Sequence, residues 1–260
     1  MSTRAPLAAG LAVVALFPIT GCASSERVRP VEPSVQVPVA PPISVVPAPA
    51  AEGPPTMPFD AFLPEMSDGP RRKWLWTVFL AGQAQAWTFA KSPSVWITLR
   101  QIAYIAPGNK AGDWSSSGKI ELLGNSEPGL IFHETFHTVF SRSGLHAGND
   151  GRWGEAFCDA FRFVAERELL SPPASPWVGK IVAFENMSFE EARHAPGNAR
   201  WKTIYTYPAS LIVKRAGGTM AGLRTLWFEL IAERQRTGVD LLDQFFGYSP
   251  EATLEEWQQS

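Results

Sequence analysis

Apolar residues fall into blocks of different texture along the chain, and the texture changes twice. Residues 7–19 ("LAAGLAVVALFPI") are almost uniformly apolar. Residues 28–58 hold almost no aromatic side chain and little that could be buried. From about Phe59 onward apolar positions recur in stretches that predict regular elements. "RRKWLWTVFLAGQAQAWTFAKS" (71–92) predicts a helix opened by Gly69-Pro70, its apolar positions too dense to fix one face. "SVWITLRQIAYIAP" (94–107), rich in β-branched and aromatic residues, predicts a strand, and "KIELLG" (119–124) a second, short one. "NKAGDWSSSGK" between them predicts a loop.

"NSEPG" turns the chain into an apolar helix over Gly129–Ser141, and the glycine-rich "RSGLHAGNDGR" predicts a loop after it. A strong helix follows at 153–170 ("WGEAFCDAFRFVAERELL") and stops at Ser171-Pro172-Pro173. Residues 188–195 predict a short helix with a capping box of Ser188 and Glu191. A further helix runs from Lys202 to the break at Gly217-Gly218, then an amphipathic one over 220–235. "LLDQFFG" and "SPEATLEEW" predict closing helical turns. Helix, small sheet, then mostly helices is an α+β order.

The first two blocks give the chain an address. Arg4 precedes an apolar run too short for a membrane span of about 20 residues but suited to a signal-peptide core. The run ends at Ile19-Thr20-Gly21-Cys22, which resembles the lipobox of bacterial lipoproteins. That resemblance implies a signal peptide over 1–21 and a lipid on Cys22 as the first mature residue. Ala23 favours the outer membrane by the sorting habit of enteric bacteria. Ten of the 23 prolines lie between Val28 and Pro58, so 22–58 is expected to be an extended tether. The expected plan is therefore a lipid anchor in the cell envelope, a tether, and one folded domain over 59–260.

With Cys22 lipidated, Cys158 is the one other cysteine and no internal disulfide can form. In its apolar helix Cys158 reads as a small core residue. A net charge of −2, with no basic run longer than Arg71-Arg72-Lys73, excludes a nucleic-acid surface.

"FHETFH" (132–137) holds two of the four histidines. His133 and His137, four positions apart on a helix, put both imidazoles on one face, where they fit two corners of a tetrahedral zinc site. Glu134 stands beside the first with its carboxylate free to take a proton from an activated water, the H-E-x-x-H arrangement. Phe140 and Ser143 occupy the positions at which a metzincin continuation needs glycine and histidine. His146 and Asp150 in the next loop are within reach of a third ligand position. Glu155 is the better candidate, since it opens the next apolar helix with Asp159 four residues on, along the same face.

This arrangement resembles the gluzincins, the thermolysin-like and aminopeptidase-like zinc peptidases. The resemblance implies a zincin-like domain in which His133, His137 and Glu155 bind one zinc ion, Glu134 is the general base, and Asp159 orients His133. Seventeen residues separate His137 from Glu155, slightly fewer than in the best-known gluzincins, and Gly154 stands where many have Asn. "YTYPASLIVKRAGG", "LRTLWFEL" and "FFGYSPEATLEEW" resemble the C-terminal half of bacterial peptidase-MA-like domains. On that pattern Tyr205 donates to the oxyanion, with Tyr207 second and His194 third.

The expected function is a lipid-anchored zinc metallopeptidase acting on a peptide or protein substrate, with membrane contact through the lipid. The alternatives are a catalytically silent zincin-fold lipoprotein for envelope binding or assembly, and a zinc hydrolase of another envelope bond. Most of the ten tryptophans belong to apolar helical patterns, with Trp114 and Trp153 the two placed for substrate contact.

Overall fold

The Asp68 side chain accepts a hydrogen bond from the Arg71 N–H at 3.0 Å, and Pro70 lies in the first turn. Helix α1 (Gly69–Trp87) therefore starts where the Gly-Pro pair predicts it. The structure is a computed structural model that describes residues 57–90, 104–106, 112–114, 119–122, 127–145, 151–170, 176–237 and 241–259. The signal, lipobox and most of the tether lie outside the described residues, as do His146 and Asp150. Described structure begins at Met57, which is buried and whose carbonyl accepts from the Trp76 indole N–H at 2.8 Å. No helix among the described residues is long and apolar enough to cross a membrane.

Three short strands follow α1: β1 (Tyr104–Ala106), β2 (Gly112–Trp114) and β3 (Lys119–Leu122), in spatial order β1-β3-β2. β1 runs parallel to β3, with Ile105 opposite Ile120, and β2 runs antiparallel to it, with Asp113 opposite Glu121. Residues 112–114 fall in the predicted loop. Gly-Asp-Trp has little strand preference of its own, and pairing with β3 supplies the ladder.

Helix α2 (Gly129–Arg142) packs against α1, β2 and β3, and most closely against α3 (Gly151–Leu169). The α2–α3 seam is aromatic. Phe136 stacks on Phe161 with centroids 4.5 Å apart, and Trp227 stands edge-on to Phe136 at 5.3 Å. Phe89 meets both Phe136 and Phe161 edge-on, and all four side chains are buried. Such edge and stacked pairs add about 0.5–1.5 kcal/mol each beyond the area they bury, so they hold α2, with its two histidines, firmly against α3. Gly154 has a packing reason. A Cβ there would meet the Phe140 ring at 3.1 Å, so a larger residue would require that ring to give way.

The start of α2 is pinned electrostatically. The Arg162 Nε–H donates to Glu166 at 2.7 Å, and its Nη2 reaches Glu127, just ahead of α2. Arg162 and Glu166 are buried, and a Cβ on Gly129 would fall 1.6 Å from Glu166 Oε1. Gly129→Ala is therefore expected to destabilise the protein by about 1–3 kcal/mol, through overpacking against a buried ion pair. Thermal unfolding against wild type checks it, and an unchanged midpoint contradicts it.

The remaining described elements are helical. Helix α4 (Pro176–Glu185) has no counterpart in the sequence reading, because "PWVGKIVAFE" is short and apolar without a clear helical period. Helix α5 (Phe189–His194) carries the expected capping box of Ser188 and Glu191. The single helix expected from Lys202 onward is split. Trp201–Thr206 is a π-helical turn, and α6 (Tyr207–Arg215) continues from it. Pro208 explains the change. It has no N–H for the residue 204 carbonyl and its ring crowds that carbonyl, so the ladder widens, with the Tyr207 N–H bonding back to the Lys202 carbonyl. Helix α7 (Met220–Thr237) buries Trp227, whose indole N–H donates to the Phe89 carbonyl at 3.1 Å. Helices α8 (Leu242–Phe246) and α9 (Pro250–Gln259) close the chain. The described residues are thus mostly helical, with one small sheet.

Candidate metal centre

Two helices build the site. Along α2, His133 and His137 sit one turn apart and turn their Nε2 atoms toward each other, 3.1 Å apart. From α3, Glu155 brings one carboxylate oxygen to 3.1 Å from His133 Nε2 and 3.7 Å from His137 Nε2. Three donors bonded to one ion at about 2.0–2.1 Å in a tetrahedral arrangement lie about 3.3 Å from each other. The observed triangle of 3.1, 3.1 and 3.7 Å fits that requirement. The three candidate ligands read from the sequence, His133, His137 and Glu155, are brought together at one point.

Asp159 lies one turn beyond Glu155 and is buried. The His133 Nδ1–H donates to Asp159 Oδ1 at 2.7 Å, which fixes the ring and leaves Nε2 directed at Glu155 and His137. A carboxylate behind an imidazole in this way raises its basicity as a ligand. Asp159 Oδ2 is buried with no hydrogen-bond partner among the described residues. The donor triangle, the orienting carboxylate and this orphaned buried oxygen together fit a divalent cation.

Electrostatics separate the two imidazoles. Burial works against the charged form of His133. The Asp159 charge and hydrogen bond outweigh it, with help from Glu155 and Glu134, and the His133 pKa is raised to about 10. His137 is lowered to about 4, first by burial and then by the positive charge on His133. Between those values His133 carries a proton that a metal must displace, whereas His137 is already neutral. Metal affinity is therefore expected to rise at least about tenfold per pH unit across roughly pH 5–9. Competition titrations with a chelator of known pH dependence check the slope, and a flat profile contradicts it.

Glu134 is buried and close enough to act electrostatically on His133, Cys158 and Tyr205. Tyr205 is half-buried on the π-helical turn. Burial and then the Glu155 and Asp159 charges push its hydroxyl up to about 12, with Arg200 opposing, so it stays protonated at neutral pH. The turn is held from both sides. Lys202 Nζ donates to the Arg193 and Ala195 carbonyls, each at 2.7 Å, and the Tyr248 hydroxyl donates to the Thr203 carbonyl at 2.7 Å.

The other two candidates for the oxyanion role are placed differently. Tyr207 is buried against Tyr248 and Phe189, with ring centroids 5.2 and 6.0 Å away, and burial alone raises its hydroxyl. His194 is 74% exposed on α5, beside Glu190 at 3.3 Å. Trp153 is core rather than a substrate contact. It is 1% exposed, stacks on Phe246 at 4.9 Å and donates its indole N–H to Asp243 at 2.6 Å. Trp114 lies at the end of β2.

Cys158 is a core residue, as its apolar helix predicts. It is fully buried, and its Sγ lies within 4.8 Å of one ring nitrogen each of His133 and His137. Burial and the neighbouring Glu155, Glu134 and Asp159 charges push its thiol well above the usual range. Its spacing of three from Glu155 on one helix was the available signal. No protein-family model, no curated protein and no solved structure matches this chain.

Proposed function

We propose that the chain is a zinc-dependent peptide hydrolase of the gluzincin kind, with a zincin-like domain held to the bacterial cell envelope by a lipid on Cys22. The donor triangle of His133, His137 and Glu155, with Glu134 beside it, is the observation that supports this most strongly. A zinc ion held by these three donors supplies a Lewis acid and lowers the pKa of water to about 7.

The chain's own groups do the rest. Asp159 holds the His133 ring so that Nε2 points into the site. Glu134 takes the proton from water as it attacks the peptide carbonyl, then delivers it to the leaving amine. Tyr205, kept protonated by its surroundings, donates its O–H to the carbonyl oxygen as negative charge develops there. An intact base beside the ligands favours hydrolysis over a silent binding site, since binding alone needs no proton acceptor there. The Ile19-Thr20-Gly21-Cys22 run and the proline-rich tether support placement outside the cytoplasm.

Tyr205→Phe is expected to lower kcat by about 10²-fold with metal content unchanged. Steady-state kinetics with metal analysis checks it, and equal kcat in both proteins removes Tyr205 from the reaction. The function itself is tested by chelation and back-titration on a mixed peptide library. Cleavage should vanish on chelation and return to a plateau at one equivalent of zinc. Cleavage that is unaffected by chelation rejects the reading.

A further inference from the structure

We propose that Cys158 is a fourth protein donor to the metal, so that the centre takes a thiophilic divalent cation through two imidazoles, one carboxylate and one thiolate. This rests on the reading of His133, His137 and Glu155 as ligands and extends it.

Three observations carry it. Cys158 Sγ lies within 4.8 Å of one ring nitrogen of each histidine. Cys158 shares a helical turn of α3 with Glu155 and Asp159, three residues after the first and one before the second, so the backbone that delivers Glu155 delivers the sulfur as well. The side chain is 0% exposed, whereas the Glu155 and His137 side chains are 26% and 18% exposed. The sulfur therefore stands on the interior side of the centre, and the carboxylate and second imidazole border its open side.

The geometry is within reach. A tetrahedral ion with a bond of about 2.3 Å to sulfur and about 2.0–2.1 Å to nitrogen places the two donors about 3.5 Å apart. As the metal–sulfur bond forms, the thiol proton leaves to solvent, and no oxidant or reductant is needed. Zinc accepts a fifth ligand, so a sulfur on the buried side leaves the solvent side open to water.

The chemical consequence is selectivity. Two imidazoles and a carboxylate suit several first-row ions, whereas an added thiolate favours Zn2+, Cd2+ and Co2+ over Mn2+ and Mg2+.

The test uses the full purified chain loaded with Co2+, alongside Cys158→Ser and Cys158→Ala, with Cys22 present in all three. Circular dichroism establishes which variants are folded. The expected result is an intense sulfur-to-cobalt charge-transfer band in the near-ultraviolet for wild type, absent from the folded variants. Cd2+ affinity should fall at least about tenfold in those variants, and Mn2+ affinity should stay within about twofold. Bound cobalt with visible ligand-field bands but no charge-transfer band overturns the sulfur ligand and leaves the three-donor reading standing. A band that persists in the variants also overturns it. If both variants fail to fold, Cd2+ binding to wild type no tighter than Mn2+ overturns it. No cobalt bound to folded wild type rejects both readings.

Discussion

Replacing Glu134 with glutamine is expected to reduce peptide hydrolysis by about 10²–10⁴-fold while metal content stays at the wild-type level. The substitution keeps the shape of the side chain and its burial on α2, and removes its negative charge and its capacity to accept a proton. The loss corresponds to about 3–5 kcal/mol of transition-state stabilisation, the range that a positioned general base supplies. Glu134 is not part of the donor triangle, so the ligand set of His133, His137 and Glu155 remains intact in this variant. Kinetics on a mixed peptide library with elemental analysis of the same sample reads both quantities. Undiminished cleavage in Glu134→Gln would remove the general-base role. Parallel loss of metal and activity would mean that Glu134 acts on the donors rather than on water.

Glu155→Ala is expected to have the second large effect, on the metal rather than on the chemistry. The carboxylate oxygen closes the triangle at 3.1 and 3.7 Å from the two imidazole nitrogens, and alanine removes the one carboxylate donor of the set. Zinc retention through dialysis should then be lost. Asp159→Asn should act in the same direction but less, weakening affinity by about 10–100-fold, because it disturbs the ring behind the ligand and leaves all three donors in place. The order of the two matters. If Asp159→Asn weakened zinc more than Glu155→Ala, the third donor would have to come from elsewhere.

The sequence made the site more legible than the scaffold, for physical reasons. His133 and His137 share one face through helical period alone, and Glu155 and Asp159 share another by the same rule. Two helices that bury their aromatic residues against each other can then bring those faces together. Phe136 on Phe161 is that packing. Cys158 was read as core because burial was the only property its apolar context signalled. Its closeness to the histidines depends on the rotation of α3 about its axis, which periodicity does not fix. Trp153 was misplaced for a related reason, since its partners Asp243 and Phe246 are ninety or more residues away in the chain.

The scaffold was harder where local signals were weak or overridden. β2 is three residues without strand preference, held by pairing with β3. α4 lacks a period to announce it. The π-helical turn that carries Tyr205 follows from Pro208, which stands inside the single helix expected from Lys202 onward. That local change sets Tyr205 apart from Tyr207. The first responds to the carboxylates of the centre and the second packs into the aromatic cluster.

The central claim is that His133, His137 and Glu155 converge on one zinc ion. Anomalous diffraction at the zinc edge, from crystals of the zinc-loaded protein, tests it most directly. A single strong peak about 2.0–2.2 Å from His133 Nε2, His137 Nε2 and a Glu155 carboxylate oxygen is the predicted result. No peak between α2 and α3, or a peak that any of those three side chains fails to touch, would contradict it.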